Sequence, residues 1–231
     1  MSKEEIKPKD QAVTPAELGQ SGHSGSFVQE NRKSLSVIGG AIVALVALYF
    51  GYQALYLDPR KKKAVDQMFK AEEYLAVDSL ADKAIKGDTQ YPGFEKIAEE
   101  YSNTKSANLA NVYLGGLYLQ KGEYKKAIEV LENYSSTGSP VVDPLVLGMI
   151  GDANSELKNY DDAISYYKKA ADKGADSFNT PMFLKKLGLV YEEQKKFDDA
   201  LDAYKKIKTE YPESQEASLV DAYIARAEAH L

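Results

Sequence analysis

The stretch Leu114-Gly115-Gly116-Leu117-Tyr118-Leu119-Gln120-Lys121-Gly122-Glu123-Tyr124-Lys125-Lys126-Ala127 recurs twice, in degenerate form, further along this chain of 231 residues. Ile150-Gly151-x-x-Asn154 precedes Tyr160-x-x-Ala163, and Leu187-Gly188-x-x-Tyr191 precedes Phe197-x-x-Ala200. With the alanines superposed, the periods are about 36 and 37 residues, the range of stacked helical arrays. A large apolar residue and a glycine side by side leave a shallow hole on a first helix. A small alanine lets the second helix approach closely. Tyr124, Tyr160 and Phe197 are expected to fill the wedge between the two helices. Short polar turns (Lys121-Gly122-Glu123, Lys158-Asn159, Lys195-Lys196) suit antiparallel helix pairs. Pro144 and Pro181 stand where first helices begin, a place that needs no amide donor.

These residues resemble the tetratricopeptide family, whose repeat is about 34 residues, over Asn108 to Pro212. Asn111 and Asn154 depart from its pattern, standing where larger residues are usual. The resemblance implies a solenoid of helix pairs whose first helices line a concave groove for other proteins. By register that groove shows Leu109, Tyr113, Leu145, Met149, Asp152, Met182, Lys185, Lys186 and Leu189. Met and Tyr would give adaptable apolar contacts while charge sets the orientation of the partner. Family members that clamp acidic C-terminal tails carry Lys and Asn where this chain has Val112 and Gly116, so no such clamp is expected.

Upstream, Ala64, Met68, Ala71, Tyr74 and Leu75 recur at helical spacing, as do Phe94, Ile97, Ala98 and Tyr101 after the Gly87-to-Gly93 loop. They read as a degenerate helical unit. Glu216 to Leu231 reads as a final helix covering the exposed core of the last repeat.

Ser34 to Leu57 is an uncharged, mostly apolar run, and about 20 such residues cross a bilayer's hydrocarbon core. It exits through Gln53-Ala54-Leu55-Tyr56-Leu57-Asp58-Pro59 without an A-x-A-like cleavage site, which favours an uncleaved anchor over a signal peptide. Gly40, Ala44, Ala47 and Gly51 form a stripe of small residues where another transmembrane helix could approach. Tyr49, Tyr52 and Tyr56 gather at the C-terminal end, as interfacial aromatics do.

The fold expected is therefore all-α: a single N-terminal transmembrane helix followed by a tetratricopeptide solenoid. Residues 1–33 form a disordered cytoplasmic tail and 34–57 the anchor. A basic juxtamembrane segment and degenerate repeat occupy 58–104, and repeats with a C-terminal capping helix occupy 105–231.

Chemistry is sparse. The chain has no cysteine, which removes disulfides and thiolate zinc sites, and only two histidines, His23 in the tail and His230 at the far end. No phosphate loop, zinc pair or Ser/His/Asp set is present. The acid pairs Asp161-Asp162 and Asp198-Asp199 open second helices, where carboxylates favour the dipole. No enzyme, metal or cofactor is expected. From Ala64 onward acids outnumber bases by about nine, which disfavours nucleic acid.

Tail motif Phe27-Val28-Gln29-Glu30-Asn31-Arg32-Lys33, single anchor and acidic repeats together resemble YfgM-like ancillary subunits of the bacterial Sec translocon. That resemblance implies an inner-membrane protein with a cytoplasmic N-terminus and periplasmic repeats. Its implied partners are translocon subunits, periplasmic chaperones or prolyl isomerases, and unfolded secreted chains. The flank Arg60-Lys61-Lys62-Lys63 argues the opposite orientation, because positive charge favours the cytoplasmic side. A cytoplasm-facing receptor for import or assembly, and a periplasmic assembly factor for outer-membrane proteins, are the alternatives.

Overall fold

The computed structural model describes Gln29, residues 31–174 and residues 177–231. Most of the tail expected to be disordered, with His23 and Phe27-Val28, lies outside the described residues. Among the described residues the chain is helical, with no strand beyond one isolated bridge between Gly87 and Pro92. It divides into two compact units, Met1–Asp58 and Pro59–Leu231.

In the first unit, α1 (Arg32–Tyr52) leads into a π-helical turn, Gln53–Leu57. None of the residues of α1 is buried, and Val37, Val43, Leu45 and Leu48 are widely exposed. One helix among the described residues, near the N-terminus, is long and apolar enough to cross a membrane. Tyr52 and Tyr56 stack at a centroid distance of 5.2 Å.

All but the first residue of α2 (Asp58–Leu75) belongs to the second unit. A broken second element comes next: a 3-10 turn at Asp78–Leu80, α3 (Ala81–Lys86) and α4 (Phe94–Glu100). Asp88 ties the intervening loop, accepting from the Tyr74 hydroxyl at 2.5 Å and from the amides of Gln90 and Tyr91. Those donors, the tyrosine first, hold its carboxyl down at about 2.

Three helix pairs follow: α5 (Lys105–Gln120) with α6 (Tyr124–Glu132), α7 (Val142–Glu156) with α8 (Tyr160–Gly174), and α9 (Asn179–Glu193) with α10 (Phe197–Glu210). A last helix, α11 (Ala217–Glu228), packs on α10. Thr104 caps α5, its hydroxyl accepting from the Ala107 amide at 3.1 Å. Pro144 and Pro181 sit at the third residue of their helices, still within the turn whose amides lack intrahelical partners, and both are fully buried.

The three glycines of the repeat explain the pairing. A β-carbon on Gly115 would lie 2.3 Å from Leu131 Cδ2, on Gly151 2.7 Å from Tyr167 Cδ1, and on Gly188 2.3 Å from Tyr204 Cε1. Each hole thus receives the large side chain four residues after the repeat's alanine. Ala127, Ala163 and Ala200 are fully buried beside it. Tyr124, Tyr160 and Phe197, expected to fill the wedge, are only half-buried at its edge. The turns share one geometry as well. Amides of Glu123, Asn159 and Lys196 reach the carbonyls of Tyr118, Asn154 and Tyr191, and amides of Gly122, Lys158 and Lys195 reach Leu119, Ser155 and Glu192. This is a Schellman cap made three times, with Gly122, Lys158 and Lys195 at φ 72°, 61° and 58°.

Asn154 is accommodated by polar contacts: its side chain donates to the Ile150 carbonyl at 2.9 Å and accepts from Asn159. Asn111 is half-buried beside the α4–α5–α6 junction. Stacking of pairs leaves three adjoining apolar clusters, centred on Phe94, Ile97 and Leu114, on Val112, Leu131 and Ile150, and on Phe183, Leu187 and Tyr204.

Candidate interaction face

Each first helix presents one stripe to its neighbours and to solvent. On α5 it holds Leu109, Tyr113 and Gly116; on α7, Leu145, Met149 and Asp152; on α9, Met182, Lys186 and Leu189. Leu109, Leu145 and Leu189 are exposed large apolar side chains, and Met149 and Met182 are half-buried against adjoining clusters. Tyr113 leans on Phe94, ring centroids 5.0 Å apart, so part of it belongs to the packing between units. The same register continues onto α11 as Leu219, Tyr223 and Arg226, which the sequence reading missed. Ala225 and Glu228 there replace the glycine and the Tyr or Asn of the other first helices, so the repeat signal is degraded.

Charge on this face is spent inside the molecule. Lys186 reaches both carboxylate oxygens of Asp152 at 2.7 Å, and the Tyr167 hydroxyl donates to the same group at 2.7 Å. Burial first, then this carboxylate, pushes the Tyr167 hydroxyl well above the ordinary phenol range. Lys185 meets Glu216 at 3.4 Å, and Arg226 meets Glu192 at 2.7 Å. Asp152, Lys185 and Lys186, expected to orient a partner, therefore clamp successive first helices together. Exposed pairs of this kind contribute about 0–1 kcal/mol each, but they fix register.

On the opposite side, clefts of about 640, 260 and 530 Å³ open at successive junctions of the helix pairs. The middle one is bordered by Asp143, which is 3% exposed. Its carboxylate accepts from the Tyr134 and Ser136 hydroxyls and the amides of Thr137 and Gly138, with Lys173 at 3.4 Å. Burial alone would raise this carboxyl; the hydrogen bonds from Ser136, Tyr134, Thr137 and Lys173 outweigh it and hold it far below the carboxylate range. The arrangement pins the loop between α6 and α7.

Asp161, Asp162, Asp198 and Asp199 lie in the first turns of α8 and α10. The His230 ring stacks on Phe197 at 4.7 Å. Among the described residues no group of three or more His, Asp or Glu is placed to hold a metal. The stripe of Gly40, Ala44, Ala47 and Gly51 lies on α1, with nothing within 4 Å of a β-carbon built on Gly40 or Gly51.

A model of the tetratricopeptide repeat-like domain matches residues 26–225. The chain belongs to the tetratricopeptide repeat-like domain family. No curated protein matches it. Among solved structures, the nearly identical TPR-like repeats of a Podosopora anserina protein assigned to the kinesin light chains superpose with a TM-score of 0.56. The identity is 14%, over 74% of this chain and 87% of that one. A point variant of the same repeats gives the same values. MamA protein aligns at a TM-score of 0.49 and 20% identity, over 74% of this chain and 87% of its own. The Podosopora likeness extends to the tetratricopeptide fold alone, which characteristically serves as a scaffold for protein–protein contacts.

Proposed function

We propose that this protein is a non-catalytic, membrane-anchored adaptor of the Sec translocon, which binds secreted clients or periplasmic folding factors through the shared face of its first helices. The observation that carries the reading is the exposure of Leu109, Leu145 and Leu189 on the one stripe that the stacked first helices share. Apolar side chains presented along one shared stripe suit contact with another chain. In this reading α1 spans the inner membrane, and its stripe Gly40, Ala44, Ala47 and Gly51 meets a translocon helix. The repeats stand in the periplasm, and resemblance to YfgM-like subunits supports that side. Purification of the full chain from carbonate-washed membranes in mild detergent tests the reading: translocon subunits should accompany it. Loss of the protein in the wash, or recovery without them, overturns it.

The basic run Arg60-Lys61-Lys62-Lys63 favours a second reading, a cytoplasm-facing receptor for protein import or assembly. Topology separates the two. A C-terminal alkaline phosphatase fusion should be active and a fluorescent fusion dark if the repeats are periplasmic.

A further inference from the structure

Arg60, Lys61, Lys62 and Lys63 stand together near the start of α2, four bases without an acid, in a unit whose remainder is acidic. Arg60 is engaged within the fold. Its guanidinium donates to the Glu100 carbonyl and lies 5.6 Å from the centroid of the Tyr101 ring, which fastens the start of α2 to the corner between α4 and α5. Further along, the Tyr113 hydroxyl meets Glu72. Both tyrosine contacts keep the same sequence offset, so α2 and α5 run side by side in one direction and Lys63 comes level with Thr104, the cap of α5. Lys105 opens α5 at that level. Lys62, Lys63 and Lys105 are exposed, and none of the three makes an ion pair or hydrogen bond among the described residues. Asp66 and Glu100, the acids beside this edge, are exposed too and pair with none of them, while Glu99 lines the cleft that holds Lys126.

Position decides what these cations meet. Lys62 and Lys63 follow Leu57, the last residue of the apolar run, by five and six residues, about 8 and 9 Å of helix. The headgroup layer beside a hydrocarbon core is about 5–8 Å deep, and a lysine's flexible stem lets its ammonium reach back into that layer. Each base near an anionic membrane surface adds about fivefold to the attraction. A nucleic acid or an acidic protein approaching from solution meets the acid-rich remainder of the unit, whereas a headgroup lies where the chain leaves the bilayer. The same chemistry serves whichever leaflet faces the repeats.

We propose that Lys62 and Lys63, with Lys105 beside them, form a recognition site for the phosphate of anionic phospholipid headgroups. The assignment rests on the membrane-anchored part of the adaptor reading and adds a lipid partner to it. The test is the lipid shell of the full chain reconstituted in phosphatidylcholine liposomes, read by electron spin resonance as the preference for spin-labelled phosphatidylglycerol over spin-labelled phosphatidylcholine. Expected is a preference of about two- to threefold at about 0.05 M salt that falls toward equality at about 0.5 M, where exposed charge is screened. K62Q/K63Q, with an unaltered melting curve, should lose most of the preference, K105Q part of it and K62R/K63R none; if K62Q/K63Q melts early, K62Q and K63Q singly should each lower it in its place. Equal shells, a preference that survives these glutamine variants or is lost in K62R/K63R, or one abolished by millimolar inorganic phosphate at constant ionic strength overturns the assignment. So does a benzophenone side chain at position 103, on the same edge, that labels only polypeptide. A full chain that will not enter liposomes removes the anchor and the lipid site together; one that enters with equal shells leaves the adaptor standing and removes the lipid site alone.

Discussion

Tyr204 occupies the space that a side chain at Gly188 would need: its Cε1 atom lies 2.3 Å from the position of a β-carbon there, and the ring is completely buried. The ring cannot retreat, because it stacks on Tyr223 at 5.3 Å and so couples the third helix pair to α11. Gly188→Ala should therefore destabilise the repeat domain by about 1–3 kcal/mol or more through overpacking. Gly116→Ala, with nothing within 4 Å, should be neutral or stabilise by up to about 1 kcal/mol through helix propensity. Thermal melts followed by circular dichroism would read the contrast.

Lys158 and Lys195 hold the left-handed conformation that Gly122 adopts without cost in the equivalent turn. For residues with a β-carbon that region costs about 1–2 kcal/mol, partly offset by the extra unfolded-state freedom of glycine. Lys158→Gly and Lys195→Gly should each raise stability by up to about 1 kcal/mol, and Gly122→Ala should lower it by a similar amount. Denaturant titrations of the three variants check the sign in each case.

The Asp143 carboxyl is depressed on folding, so its contribution is complete above the unfolded value near 3.9 and is lost as pH falls toward the lower folded value. Asp143→Asn should cost about 1–3 kcal/mol at neutral pH, since one amide cannot accept from Tyr134, Ser136, Thr137 and Gly138 together. The gap in melting temperature between parent and variant should narrow as pH is lowered from about 5 to about 3. A gap that stays constant would place the loss in shape rather than charge.

Asp152 serves two donors, Tyr167 within its own pair and Lys186 in the next. Asp152→Ala leaves the buried hydroxyl without its acceptor and should cost about 1–3 kcal/mol. Lys186→Met removes only a half-exposed pair and should cost about 1 kcal/mol or less. Paired denaturation curves decide whether the order holds.

Much of this was legible in the sequence. The recurring apolar-glycine step (Leu114-Gly115, Ile150-Gly151, Leu187-Gly188) placed all three helix pairs, and acid pairs after Tyr160 and Phe197 marked helix starts through the dipole. Other features were hidden by their physics. The partners of the glycine holes, Leu131, Tyr167 and Tyr204, differ in type, so only their constant offset from the alanine could have shown them. A lysine gives no sign that its φ is positive. The ion pairs of Lys185 and Lys186 join residues 31 and 34 positions away, a distance no local pattern spans. Leu219 went unseen because the glycine and tyrosine around it are replaced in α11.

An adaptor of the proposed kind meets other proteins through the first-helix face and not through its second helices. A photoactivatable side chain placed at Leu145 on the first-helix face, or at exposed Lys169 on α8, can be activated in native membranes and its adducts identified. Polypeptide adducts are expected from position 145 and few from 169. Adducts mainly from 169, or equal labelling from both, would refute the choice of face.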